Sequence, residues 1–199
     1  MVVDTSAVNR GRAVFADRDS LWLFGYGSLL YKAGFPYLEA RPATITGWTR
    51  RFWQGSHDHR GTPEAPGRVA TLVEDAGARC AGMAYRITHE VLEPLDIREK
   101  NGYLRFTTPM DFHDGTMEQG LVYIATESNA AFLGAAPLED MAAHIARSTG
   151  PSGPNREYLL GIAAVLRELG VDDPHVFALE DAMLAWEADG VTGAGERAG

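Results

Sequence analysis

The sequence predicts an α+β fold with a mostly antiparallel sheet. Three observations lead there. Short runs of β-branched and aromatic residues, separated by glycine-bearing turns, fill the first two thirds of the chain. Amphipathic stretches with helix stop signals fill the last third. No internal repeat or interdomain linker separates the two parts, and strands followed by helices in one domain make an α+β arrangement. At 199 residues the chain is long enough to bury one proper core.

Residues 1–20 are polar and weakly patterned, and they read as an N-terminal extension with one short helix. Residues 21–24, Leu-Trp-Leu-Phe, form one buried strand that breaks at Gly25-Tyr26-Gly27-Ser28. After a connector punctuated by Gly34, Pro36 and Pro42, residues 44–53 read as strand. A Gly/Pro-rich loop over 62–67 leads to strands 68–74 and 79–87, which a turn at 75–78 would join as a hairpin. Residues 88–100 predict a helix, with Thr88 as its cap, Val91, Leu92 and Leu95 as its apolar face, and Asn101-Gly102 as its stop. Strands 103–112 and 118–126 follow, joined by Asp114-Gly115.

Pro137 opens a helix that ends near Gly150. A loop over 150–155 precedes a helix to Leu169, stopped by Gly170. Asp173-Pro174 places an N-cap before a proline at the first helical position and starts a final helix to about Trp186. From Gly190 onward the composition is that of a disordered tail. One domain, 21–189, is thus expected between an extension and a tail.

A formal net charge of −9 argues against bulk binding to nucleic acid or to an anionic membrane surface. No stretch reaches transmembrane length, and no charged-then-apolar leader opens the sequence. The lone Cys80 excludes an internal disulfide and fits a reducing compartment, so a cytoplasmic protein is expected.

The chemistry centres on the turn after the first strand. Glycines on both sides of Tyr26 let the backbone turn sharply and approach a ligand. Ser28 adds a hydroxyl, and successive N–H groups pointing one way suit a carboxylate or phosphate. A dinucleotide loop fails because Leu30 stands where its third glycine would be, and a nucleophile elbow fails because Gly27 directly precedes Ser28. The stretch therefore reads as an anion cradle without a nucleophile, and equally as a tight turn with Tyr26 packed inside.

Other candidates are weaker. No third histidine or cysteine pair is spaced to close a site with His57 and His59, so a hydrogen-bonding loop is expected and no metal site. Cys80 reads as a buried structural residue. Arg50-Arg51 beside Phe52-Trp53 reads as a solvated edge or as partly buried, and Asn155 and Tyr158 as cap and packing residues. Glu99 lies in the last turn of its helix, between Arg98 and Lys100. The electronegative helix end and burial would raise its pKa towards that of a general base, and the flanking cations oppose this.

These stretches together resemble the ChaC family of glutathione-specific γ-glutamylcyclotransferases. The resemblance rests on Phe24-Gly25-Tyr26-Gly27-Ser28-Leu29, on Arg50-Arg51-Phe52-Trp53-Gln54-Gly55-Ser56 with Asp58-His59-Arg60-Gly61, and on Pro66-Gly67-Arg68-Val69. It continues through Arg98-Glu99-Lys100 with Gly102-Tyr103, Ala136-Pro137-Leu138-Glu139-Asp140, and Gly150-Pro151-Ser152-Gly153 with Asn155, Glu157, Tyr158 and Leu159. The pieces stand in family order over roughly 21–185; Tyr31 and Asn101 depart from the residues the family usually shows there. The resemblance implies a small mixed, mostly antiparallel β-barrel with flanking helices. It also implies the conversion of glutathione to 5-oxoproline and cysteinylglycine.

Carried over, Glu99 is the catalytic acid/base. Phe24, Gly25, Tyr26, Gly27, Ser28, Leu29 and Tyr103 form the substrate-binding set; the oxyanion donor is unassigned, with Tyr103 and the loop N–H groups as candidates. The substrate's own α-amine is the nucleophile, so the reaction needs no metal or organic cofactor. Arg60 and Arg68 are candidate partners for the glycine carboxylate. A non-catalytic glutathione sensor and a cyclotransferase of other γ-glutamyl amines are the alternatives.

Overall fold

The structure is a computed structural model, and it describes residues 4–12 and 15–195. Helix α1 (Ser6–Arg10) precedes strand β1 (Leu21–Gly25), a 3-10 turn (Ser28–Leu30), and the long strands β2 (Glu39–Ser56) and β3 (Gly67–Ile87). A 3-10 turn at His89–Val91 leads into α2 (Leu92–Arg98), followed by β4 (Tyr103–Phe112) and β5 (Met117–Ala125). Helix α3 (Leu138–Arg147), the short pair β6 (Thr149–Gly150) and β7 (Gly153–Pro154), α4 (Asn155–Glu168) and α5 (Pro174–Gly195) complete the chain.

Five strands close a barrel in the order β1-β3-β2-β4-β5. Strand β1 runs antiparallel to β3, with Leu23 opposite Tyr85, and parallel to β5, with Leu23 opposite Leu121. Strands β4 and β5 pair antiparallel from Tyr103↔Ala125 to Asp111↔Met117. The ring closes through a short contact of β2 with β4, Ala43↔Phe112 and Thr44↔Asp111. The apolar run of β1 is explained by burial on both faces: every residue from Leu21 to Gly25 is buried. Leu21 and Leu23 pack with Val91 of the second 3-10 turn and with Leu92 and Leu95 of α2, while Trp22 meets Phe112 with ring centroids 4.9 Å apart.

The chain forms two compact units. The first, Met1–Arg51 with Ala70–Phe132, holds most of the barrel together with α1 and α2. The second, Phe52–Val69 with Leu133–Gly199, holds α3, α4 and α5. Each helix of the second unit buries an apolar face: Met141 and Ile145 on α3, Leu159 and Ile162 on α4, Val176 and Leu179 on α5. The Asp173 carboxylate accepts from the N–H of Val176 at 3.1 Å, the cap that the Asp173-Pro174 pair predicts.

Three expectations are corrected. The turn at 75–78 does not form, and β3 runs unbroken through it. Residues 74–77 are polar or small because they are exposed, and the chain accommodates its curvature at Gly77, with φ +87°. Thr88 makes no side-chain cap; its carbonyl instead accepts from the N–H of Val91 at 3.2 Å, in a 3-10 turn ahead of α2. Helix α5 continues to Gly195, past the boundary expected at 190, because extending a helix asks far less than starting one. The short helix expected in the extension is α1, Ser6–Arg10. Residues 1–3, 13–14 and 196–199 of the extension and tail lie outside the described residues.

Candidate active site

The glycine-flanked turn follows directly from the end of β1. A Cβ on Gly25 would stand 2.5 Å from the Cβ of Leu29, so only glycine lets the chain fold back this closely. Gly27 has φ −110°, so its place in the loop does not come from a left-handed conformation. The N–H of Leu30 donates to the Gly27 carbonyl at 3.0 Å, and those of Tyr31 and Lys32 donate to the Ser28 carbonyl at 3.3 and 2.9 Å. Among the described residues nothing accepts from the N–H groups of Gly27, Ser28 or Leu29. Three successive donors at the start of a helical turn form the kind of concavity that takes a carboxylate.

The loop offers backbone rather than side chains. Phe24, Tyr26 and Leu29 are buried. The Tyr26 hydroxyl donates to the Tyr123 carbonyl at 2.7 Å, and the Leu29 carbonyl accepts from the Tyr85 hydroxyl at 2.7 Å. Arg50 supports the turn from beneath: it is buried, and its Nε donates to the Tyr26 carbonyl at 2.8 Å. Of the two sequence readings of Tyr26, its side chain follows the packed one. The residues left accessible to a ligand are Gly27 and Ser28, both half-buried.

Glu99 caps the C-terminus of α2, its N–H donating to the Leu95 carbonyl at 2.8 Å. Its side chain is 16% accessible, and Oε1 lies 3.4 Å from the Nε of Arg98. The same guanidinium donates through Nη2 to the Ser28 hydroxyl at 3.0 Å and through Nη1 to the Ala33 carbonyl at 2.7 Å. Arg98 thus ties the loop to the carboxylate. In sequence it is visible only as a neighbouring charge, and its reach to Ser28 depends on how α2 packs against the barrel.

Beneath Glu99 lies a buried polar cluster. Asp96 accepts from the Tyr123 hydroxyl at 2.6 Å and sits 3.3 Å from Nε of the buried Arg105. Burial raises the Asp96 carboxyl above its ordinary value, against the opposing pull of Tyr123 and Arg105. Burial first, then the bond to Asp96, also raises the Tyr123 phenol, and the charge of Glu99 adds a smaller push in the same direction. Glu99 is therefore felt electrostatically within this cluster.

Tyr103 follows Glu99 closely, its N–H donating to the Glu99 carbonyl at 3.2 Å. Its hydroxyl donates to the Ala70 carbonyl at 2.8 Å, so its one proton is already committed. The turn between them requires Gly102. Its φ is +90°, and a Cβ there would lie 1.9 Å from Nδ2 of Asn129. Asn129 carried no sequence signal.

Cys80 is buried. His59 Nδ1 lies 3.0 Å from the Ser152 hydroxyl, and among the described residues no group of three or more His, Cys, Asp or Glu is placed to hold a metal ion. Arg68 is buried in the second unit, donating to the Phe52 and Gly134 carbonyls at 3.0 Å each, while Asn155 brackets its backbone N–H and C=O. Arg60 donates to the Pro154 carbonyl at 3.0 Å and lies 3.7 Å from Glu157. Both arginines are therefore engaged within that unit. No helix among the described residues is long and apolar enough to cross a membrane.

The ChaC-like protein profile matches residues 21–185, most of the chain and all of this site. The chain belongs to the ChaC-like family. Among ChaC-like and related proteins, γ-glutamylcyclotransferase 2-3 of Arabidopsis thaliana is 46% identical over 169 residues, covering 79% of this chain and 85% of its own length. Glutathione-specific γ-glutamylcyclotransferase 1 of Danio rerio is 45% identical over 184 residues, covering 86% and 93%. The crystal structure of a γ-glutamyl cyclotransferase specific to glutathione from yeast superposes with a TM-score of 0.79 at 31% identity, covering 85% of this chain and 97% of that one. The barrel with flanking helices is thus the architecture of that enzyme, as the sequence resemblance implies.

Proposed function

We propose that this chain converts glutathione to 5-oxoproline and cysteinylglycine. The α-amine of the γ-glutamyl group attacks its own γ-carbonyl. A new C–N bond closes the five-membered lactam, and the bond from that carbonyl to the cysteinyl nitrogen breaks. Glu99 takes the proton that the amine loses and returns one to the departing nitrogen, so the carboxyl ends as it began. The N–H groups of Gly27, Ser28 and Leu29 grip the α-carboxylate and hold the amine against the carbonyl, which can supply several kcal/mol of the barrier.

The observation that carries this reading is the Arg98 guanidinium, which joins the donor end of the loop to the Glu99 carboxylate within one unit. Choice of glutathione is supported by the zebrafish and yeast relatives, both named as specific for it. A reducing, cytoplasmic compartment keeps glutathione in its thiol form.

The test is to incubate the purified protein with glutathione and follow both products. Equimolar 5-oxoproline and cysteinylglycine are expected. Turnover of γ-glutamyl-alanine should be roughly 10- to 150-fold weaker, the value of about 1.5–3 kcal/mol for one charged contact to the missing glycine carboxylate. Equal kcat/KM for both substrates would favour a broader cyclotransferase, the reading left open by the Arabidopsis relative, whose name specifies no substrate. Tight binding with neither product would favour a sensor.

A further inference from the structure

Residues 4–12 precede the span shared with the family, 21–185, yet they are built into the turn that carries Glu99. Asp4 forms an antiparallel bridge with Asn101. The N–H of Thr5 donates to the Lys100 carbonyl at 2.9 Å. The Thr5 hydroxyl lies 3.0 Å from that same oxygen and 2.9 Å from the Tyr103 carbonyl, sharing its single proton between them. Asn9 is fully buried: Nδ2 donates to the Tyr103 carbonyl at 3.0 Å, and Oδ1 accepts from the N–H of Arg105 at 2.9 Å. The Asn9 carbonyl also accepts from the Arg105 guanidinium, whose Nε faces Asp96, three residues before Glu99.

The need for such a support follows from α2 itself. It has seven residues, too few to hold its own end in place. Thr5 and Asn9 bind the carbonyls of Lys100, just past its end, and of Tyr103, at the start of β4, on either side of Gly102. An acid/base that serves two nitrogens in sequence needs a fixed position, since a displacement of about 1 Å can cost about 10²-fold. We infer that residues 4–12 are a positioning clamp for Glu99, supplied ahead of the family domain. This inference rests on the acid/base role proposed for Glu99.

The test uses the full-length chain. Thr5→Val keeps the shape and deletes the hydroxyl, and Thr5→Ser keeps the hydroxyl. Thr5→Val should lower kcat about five- to tenfold with KM within about twofold, on the scale of a sub-ångström displacement. Thr5→Ser should restore the rate. Exchange of the Tyr103 amide, which is bonded to Glu99, should accelerate in Thr5→Val while amides of β5 stay protected. In a Glu99→Gln background, Thr5→Val should add no further loss. If Thr5→Val fails to fold, Asn9→Ser is measured in the same way.

Wild-type kcat in the folded variant overturns the inference. So does a loss that is equal in the Glu99→Gln background, or that comes without faster local exchange. The two readings separate cleanly: an active Glu99→Gln overturns the acid/base assignment, while an inactive Glu99→Gln beside a fully active Thr5→Val overturns the clamp alone.

Discussion

Replacing Arg98 by methionine keeps most of the aliphatic stem and removes the guanidinium. Three contacts disappear: the bonds to the Ser28 hydroxyl at 3.0 Å and the Ala33 carbonyl at 2.7 Å, and the 3.4 Å pairing with Glu99. A hydrogen bond from a charged donor is worth about 1.5–3 kcal/mol. With 28% of the Arg98 side chain accessible, water replaces part of each bond, so the low end applies. The two bonds then total about 3 kcal/mol, and the partly exposed ion pair adds about 0.5 kcal/mol at most. Spent entirely on holding the loop against the base, this amounts to about 150- to 400-fold in kcat/KM; some of it supports general stability, so the expected loss is about 10- to 100-fold.

Initial rates of 5-oxoproline formation over a glutathione series, with Tm measured in parallel, read this directly. Tm should fall by roughly 2–4 °C per kcal/mol for a chain of this size. Arg98→Lys keeps the charge but loses the forked reach to Ser28 and Ala33 together, so it should restore less than half of the loss. Arg98→Met with kcat/KM within about threefold of wild type would refute the idea that this side chain holds loop and base in register.

Gly102→Ala forces a left-handed conformation on a residue with a Cβ that also meets Asn129. It should cost at least about 1–2 kcal/mol and lower kcat, and an unchanged denaturation midpoint would contradict the turn described here. Cys80→Ala should keep kcat, and thiol reagents should act slowly because the residue is buried; rapid alkylation with stoichiometric loss of activity would revive a covalent route. Bonds from the side chain and backbone of Thr116, with Arg41 adding to them, lower the Asp114 carboxyl to about 2 from 3.8. The folded state therefore favours the carboxylate, and its stabilisation is complete above 3.8 and lost as pH falls towards about 2. Asp114→Asn should flatten that acid limb of the stability curve, and an identical limb would contradict the assignment.

Where local chemistry decides, the sequence was readable. Leu21–Phe24 had to be a buried strand, and Asp173-Pro174 had to start a helix. Where distant partners decide, it was not. The stretch at 75–78 has the composition of a turn, and only pairing within a closed barrel keeps it extended. Thr5 and Asn9 look like unpatterned polar residues because the carbonyls they serve lie 95 and 94 positions away. Arg98 looks like a charge beside Glu99, and its bond to Ser28 spans 70 positions. Tyr26 was legible as part of the loop, but the inward turn of its ring depends on a carbonyl of β5.

The most direct test of Glu99 as the acid/base is the kcat of Glu99→Gln with glutathione, measured beside its affinity for glutathione by calorimetry. Glutamine keeps the size and the hydrogen-bonding reach and removes only the base. The predicted result is a loss in kcat of about 10²-fold or more, with affinity within about threefold and the thermal midpoint kept. Near wild-type turnover by the folded variant would contradict it.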